Sequence, residues 1–252
     1  MPKISAVIIT KNEATNIARC LQSLQAVVAE ILVIDAFSTD ETVKIVQELG
    51  AKVIQTKWEG YSQNKNYGNQ FAKHDWILSI DADEVLSPEL MHSIQALKLE
   101  QNNIYSINRL NNYCGQWIKY CGWHPDWNNR LFHRKTAKWK GDFVHEKLTF
   151  SSATKIIRLE GLLYHYSYQN SADHWQRIER YAQLSAQQLF RDGKKATFIK
   201  LWLAPVARFI RTYFIKLGFL DGRAGWTISV RAGYLVYHKY RLLKILEMPT
   251  KS

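Results

Sequence analysis

Cysteine is scarce in this 252-residue chain: three residues, Cys20, Cys114 and Cys121, odd in number and widely spaced. That excludes a disulfide framework. No zinc-ligand spacing is present, so the thiols are expected to stay reduced in a cytosolic protein. Long apolar runs are also missing. The segment that most invites a membrane reading, residues 197–220, has no uncharged run longer than the seven residues Leu201–Ala207, too short to span a bilayer. The opening Met1-Pro2-Lys3-Ile4-Ser5 enters a strand-like run at once, and the expectation is that no signal peptide precedes the fold. Helix-turn-helix, RNA-binding and zinc signatures are absent, as are internal repeats and low-complexity tracts, so nucleic acid is not an expected partner.

Acidic residues are unevenly missing. Residues 1–150 carry 17 Lys/Arg against 16 Asp/Glu, whereas residues 151–252 carry 17 against only 6. Nearly all of the net charge of +12 therefore lies in the C-terminal part, which points to an anionic partner there or to a solvated basic face.

What is present, over the first hundred residues, is an alternation of strand and helix signals. Short buried-strand runs occur at Ala6–Ile9, Ile31–Ile34, Lys52–Ile54 and Trp76–Ile80. Helical stretches separate them, one following Thr10-Lys11-Asn12-Glu13, one capped by Ser38-Thr39-Asp40 and ending at Gly50, and one over Asn64–Lys73. Such alternation predicts an α/β fold with right-handed crossovers and a mainly parallel sheet flanked by helices. Ligands on such sheets bind at the carboxyl ends of the strands, where Glu13, Asp35, Asp81 and Asp83 all fall. Pro88 marks a helix start, residues 104–150 read as short strands and turns, and the chain turns helical from about residue 171. The expected division is an α/β domain over 1–165, in two halves meeting at about residue 90, followed by a basic helical region over 166–252.

Asp81 and Asp83 close the apolar run Trp76-Ile-Leu-Ser-Ile-Asp-Ala-Asp-Glu84. Alternate side chains leaving a strand end can converge on one divalent cation, Mg²⁺ or Mn²⁺, whose other ligands are phosphate and water. The bland alternative is an acidic capping turn before Pro88.

The pieces Val7-Ile-Ile-Thr-Lys-Asn-Glu13, Val33-Ile-Asp-Ala-Phe-Ser-Thr-Asp40, Gln63-Asn-Lys-Asn66 and Leu78-Ser-Ile-Asp-Ala-Asp-Glu84, in this order and spacing, resemble the family 2 glycosyltransferases. Trp123-His-Pro-Asp126, Arg130-Leu-Phe132 and Val144-His-Glu146 resemble a narrower group, the bacterial lipopolysaccharide inner-core β-1,4-glucosyltransferases. The resemblance implies a GT-A catalytic domain over 1–165, its nucleotide-sugar half to about residue 90 and its acceptor half over about 91–165, and inverting transfer from a UDP-sugar. Asp35 would contact the uracil edge, Thr10 and Glu13 would border the nucleoside, and Lys65 would approach the base or diphosphate. Asp81 would serve the ribose or the metal, and Asp83 the cation itself. Ala36-Phe37 departs from the commoner small-residue pattern and would narrow the pocket.

For the base that deprotonates the acceptor, Asp126 is the first candidate, since Trp123, Pro125 and Trp127 would raise its pKa, and Glu146 is the second. Otherwise Asp126 pairs with Arg130 or Arg134 and only holds its loop. His145 is a further candidate metal ligand, or a loop histidine bonded to its own backbone. Around Pro205, Lys200, Arg208 and Arg211 fall within an arc of about 80° on a helix. This suits an interfacial helix on an anionic membrane surface, or a helix packed on the catalytic domain. The implied partners are a UDP-sugar donor, a lipopolysaccharide core–lipid A acceptor and the inner face of the cytoplasmic membrane. A polyprenyl-phosphate or protein acceptor, or a non-catalytic basic binding protein, are the alternatives.

Overall fold

The computed structural model describes residues 3–141 and 146–248. The chain divides into two units, residues 1–110 with 126–166, and residues 111–125 with 167–252. Residues 111–125, expected in the acceptor half, group with the C-terminal residues instead. The reason is local: backbone N–H groups of Lys119 and Tyr120 donate to the buried Asp221 carboxylate at 3.2 and 2.9 Å, and Gln116 Nε2 donates to its carbonyl at 2.9 Å.

In the first unit, β1 (Ile4–Thr10) is buried at every position, as a strand covered on both faces requires. It pairs in parallel with β2 (Glu30–Asp35) and β4 (Trp76–Asp81), and β2 pairs in parallel with β3 (Lys52–Gln55). Helices α1 (Ile17–Leu24), α2 (Thr42–Glu48) and α3 (Tyr61–Phe71) form the crossovers. In α1 the apolar residues Ile17, Cys20, Leu21 and Leu24 recur at three and four positions and are buried together. Helix α3 lies close on the sheet because of Gly68, where a Cβ would come within 2.5 Å of Val7 Cγ1 and 2.8 Å of Ile34 Cγ1. That approach sets the depth of Lys65, one turn earlier.

Beyond β4 the sheet is no longer parallel. After β5 (Glu84–Leu86) and α4 (Pro88–Gln95) come β6 (Asn103–Tyr113), β7 (Gln116–Ile118), β8 (Asp126–His133), β9 (Ala137–Lys140), β10 (Lys147–Phe150) and β11 (Lys155–Tyr168). Strand β8 runs antiparallel to β4 and β6, and β5 antiparallel to β11, giving the order β3-β2-β1-β4-β8-β6-β11-β5. A parallel neighbour needs a crossover of a dozen or more residues, usually a helix. None of the described residues between β6 and β11 is helical, so the mainly parallel expectation holds only for the first four strands. Ser87 caps α4, its Oγ accepting from the Leu90 N–H at 3.2 Å, with Pro88 in the first turn.

The second unit is mostly helical: α5 (Ser171–Arg191), α6 (Ala204–Ile210) and α7 (Gly222–Leu246). Helix α6 is flanked by π-helical turns at Ile199–Leu203 and Arg211–Ile215. Pro205 follows the first π turn, whose closing bond runs from the Ala204 N–H to the Ile199 carbonyl. His238 and Glu179 join α7 to α5 at 2.7 Å. The Trp123 ring stacks on Tyr168 at 5.7 Å and belongs to this unit's aromatic core, with Tyr113 and His174.

Candidate active site

The carboxyl ends of β1, β2 and β4 carry the side chains that the sequence singles out. Thr10 and Asp35 are register partners at the ends of β1 and β2. Asp35 is fully buried, and its carboxylate accepts from Ser38 N at 2.9 Å, the Ser38 hydroxyl and Gln55 Nε2 at 3.1 Å. The Thr10 hydroxyl is buried without a hydrogen-bond partner among the described residues, a polar atom that a bound ligand would satisfy.

The loops after β1 and β2 are stapled to each other. Asn12 N donates to Ser38 Oγ, Thr39 N to Asn12 Oδ1 and Glu13 N to Thr42 Oγ1, each at 2.8 Å. Asp40, expected to cap α2, is shared: it accepts from Thr42 N at 3.1 Å and also from Ala14 N at 3.1 Å. The Glu13 side chain accepts from Asn16 Nδ2 at 2.7 Å. Phe37, expected to narrow the pocket, is half exposed, with φ +54°.

Asp81 ends β4 between two cations, Lys65 Nζ at 3.2 Å and Arg130 Nη2 at 2.9 Å. Lys65 is buried, lies 4.7 Å from the centre of the Trp139 ring, and also reaches Glu146 Oε1 at 3.4 Å. Both Glu146 and Asp81 are thus held on one ammonium. The same Nη2 of Arg130 donates to Glu84 Oε1 at 2.6 Å, and Glu84 Oε2 accepts the backbone N–H of Asp81 at 2.9 Å. Glu84 Oε1 also faces Arg109 Nη1 at 3.4 Å, and Arg109 grips Asp126 Oδ2 through Nε and Nη2, both at 2.9 Å. One ionic chain therefore runs Lys65–Asp81–Arg130–Glu84–Arg109–Asp126. Asp126 pairs with Arg109, not with Arg130 or Arg134. Trp123 and Pro125 lie in the other unit, and Trp127 underlies Arg158 at 4.8 Å.

Burial pushes the Asp81 carboxyl up, but the charges of Arg130 and Lys65 outweigh it and hold the group well below the usual carboxylate range. A carboxyl whose folded pKa is depressed stabilises the fold fully above its unfolded value of about 3.9 and loses that contribution as pH falls through the folded value. Denaturant midpoints are accordingly expected to fall steeply below about pH 4. In Asp81→Asn this acid limb is flatter, and an unchanged limb would refute the assignment to Asp81. Cys20 donates to the Asp81 carbonyl at 3.6 Å. Burial, then Glu84 and Asp83, push its thiol far up, so it is no nucleophile.

Asp83 differs from Asp81. No lysine or arginine among the described residues forms an ion pair with it; its Oδ2 faces His165 Nε2 at 3.2 Å. A carboxylate and an imidazole at this separation fit a divalent cation. Among the described residues no third His, Cys, Asp or Glu joins them in a metal-ligating group, so phosphate oxygens and water would complete the shell. His145, the other candidate ligand, lies outside the described residues. Sequence reasoning missed His165. It stands some eighty residues from Asp83, and only the β5–β11 register, His165 opposite Glu84, brings it there. Glu84 and Arg109 were missed as well, although Glu84 adjoins the aspartate pair in sequence.

Residues 5–155 match the family described as glycosyl transferase family 2. An uncharacterized glycosyltransferase of Rickettsia felis is 33% identical over 100% of this chain and 92% of its own length. The lipopolysaccharide core biosynthesis glycosyltransferase LpsC of Rhizobium meliloti is 26% identical over 96% of this chain and 95% of its own. Among solved structures, the mannosyltransferase PcManGT of Pyrobaculum calidifontis, in complex with GDP-Man and Mn²⁺, superposes with a TM-score of 0.56 at 15% identity, over 98% of this chain and 88% of that one. The architecture is that of the GT-A fold.

Proposed function

The chain belongs to glycosyl transferase family 2, and from that membership we propose that it is an inverting transferase moving a hexose, glucose from UDP-glucose, onto a heptose of the lipopolysaccharide inner core. The observation that carries this reading is the ionic chain that links Asp81, at the end of β4, to Asp126, with Asp83 and His165 beside it. The name of the Rhizobium relative supports the acceptor class.

In this reading Asp35 and Thr10 bind the nucleoside, and Thr10's unpartnered hydroxyl finds its bond there. Asp81, fixed by Lys65 and Arg130, faces the ribose. Asp83 and His165 would hold a divalent cation, which would supply Lewis-acid stabilisation of the departing diphosphate. The acceptor hydroxyl oxygen attacks the anomeric carbon from the opposite side. The bond from that carbon to the diphosphate breaks with its electron pair, and the hydroxyl proton passes to Asp126. Arg109 Nε and Nη2 both engage Asp126 Oδ2, which orients the carboxylate for the proton transfer. The acceptor is a lipid of the cytoplasmic membrane's inner face, so the enzyme works there as a peripheral protein.

The test is UDP release across a series of UDP-sugars with purified heptosylated core as acceptor; no release with any of them overturns the reading. Within it, Asp126→Asn lowers kcat by about 10²–10⁴-fold with native circular dichroism at the assay temperature. An acceptor that is already an anion, such as a polyprenyl phosphate, needs no base. A near-silent Asp126→Asn would therefore remove both the base and the heptose hydroxyl from the proposal.

A further inference from the structure

The second unit exposes large apolar side chains in a pattern. Phe198, Trp202, Val206, Ile210 and Phe214, each four residues after the last, are 73, 51, 55, 44 and 54% exposed. On a regular α-helix four residues turn through about 400°, so five such positions would wander by roughly 160° around the axis. The π turns at Ile199–Leu203 and Arg211–Ile215 change this. Each holds more residues than an α turn and rotates the stripe back. The opposite side of the segment packs on α7: a Cβ at Gly233 would sit 3.0 Å from the Pro205 carbonyl oxygen, and Phe209 meets the Trp226 ring at 5.3 Å. The stripe is the side left over, bordered by α7 at Trp202, whose ring lies 5.6 Å from that of Tyr237, and it is a larger apolar surface than scattered exposed residues produce.

Its charge setting is one-sided. Residues 193–220 contain Lys194, Lys195, Lys200, Arg208, Arg211 and Lys216 and no acidic residue. All of these cations but the half-buried Lys200 are exposed. A second copy of the chain docked stripe to stripe would set these cations against their own kind. An anionic surface with an apolar interior complements both features at once. No helix among the described residues is long and apolar enough to cross a membrane, so the match is to a helix lying in the interface.

We propose that residues 198–215 form a docking face for an anionic lipid bilayer, the apolar stripe entering the headgroup–acyl boundary and the flanking Lys and Arg meeting lipid phosphates. The inference deepens the membrane-borne acceptor of the proposed function and rests on that reading for its purpose, but its deciding readout, vesicle binding, needs neither donor nor transfer. The full chain is co-sedimented with vesicles of phosphatidylcholine alone and of phosphatidylcholine with one quarter phosphatidylglycerol. Binding is expected to be at least about tenfold tighter to the anionic vesicles. The triple variant Phe198→Ser/Trp202→Ser/Phe214→Ser is expected to lose at least about tenfold of that binding, while its circular dichroism and its UDP release with a deacylated, water-soluble core acceptor stay at wild-type levels. Equal binding to both vesicle types, or equal binding by wild type and variant, overturns the proposal. So does a wild-type dimer in sedimentation velocity that the triple variant dissociates without vesicle binding. Vesicle binding without any transfer counts against the reaction and leaves the docking face standing.

Discussion

Replacing Asp83 with alanine is expected to lower kcat/KM for transfer by about 10³-fold or more, a barrier increase of roughly 4 kcal/mol. The magnitude follows from which of the two strand-end carboxylates is committed elsewhere. Asp81 is clamped between Lys65 and Arg130 at 3.2 and 2.9 Å, so its charge is already balanced by protein. Among the described residues Asp83 forms an ion pair with an imidazole, His165, at 3.2 Å, and with no lysine or arginine, and that leaves it the carboxylate able to hold a hard cation against a diphosphate. Lewis-acid stabilisation of a leaving group is worth several kcal/mol. Removing its carboxylate anchor forfeits most of that, whereas His165→Ala, which removes a neutral ligand, is expected to cost about 10–100-fold. UDP release over a Mn²⁺ titration reads the loss of rate. Mn²⁺ binding by calorimetry, without sugar donor, separates lost cation affinity from lost chemistry. Turnover within tenfold of wild type at saturating Mn²⁺ would place the cation elsewhere.

The parts of this site that were legible in sequence are those fixed by strand ends. The runs before Thr10, Asp35 and Asp81 are short, apolar and followed by helix signals, so their last residues must gather where a parallel sheet opens its crevice. Lys65 was legible through the order of motifs, and Gly68, one turn on, explains physically how an ammonium on a helix comes to be buried against a strand end. What the sequence concealed is the antiparallel half. Arg109, Arg130 and His165 lie on β6, β8 and β11, whose partners depend on register, and a register shift of one residue would turn each side chain to the other face. Asp126 is the instructive case. Its aromatic neighbours in sequence suggested an apolar enclosure, but Trp123 and Pro125 belong to the other unit, and the group that engages the carboxylate is Arg109, seventeen residues back on a neighbouring strand. The exposed stripe was half legible. The lysines and arginines of residues 195–216 showed a basic face, yet a fixed 100° per residue could not show that two π turns keep Phe198, Trp202, Val206, Ile210 and Phe214 in line.

The second large effect is expected on stability. Arg130→Met should destabilise the first unit by about 3–5 kcal/mol, the usual result of removing one partner of a buried ion pair. Arg130 is 4% exposed, and its Nη2 alone bridges Asp81 at 2.9 Å and Glu84 at 2.6 Å. Burial works against its charge, but Asp81 and then Glu84 raise its pKa above the ordinary arginine value. Without it, Glu84, which has no exposed surface, is left among the described residues with the more distant Arg109 Nη1 at 3.4 Å as its ion-pair partner. Methionine fills the stem's volume, so the loss reads as charge left unpaired and not as a cavity. The double variant Arg130→Met/Glu84→Gln discriminates. Glutamine can still accept the Asp81 N–H through its carbonyl oxygen while carrying no charge, so much of the single variant's loss should be recovered, as happens when both members of a buried pair are neutralised together. Urea midpoints for the two single variants and the double variant form a cycle whose coupling should exceed about 1 kcal/mol. Additive losses would mean that Glu84 is held by Arg109 and the Asp81 backbone alone, and the ionic chain from Asp81 to Asp126 would then break at its middle link.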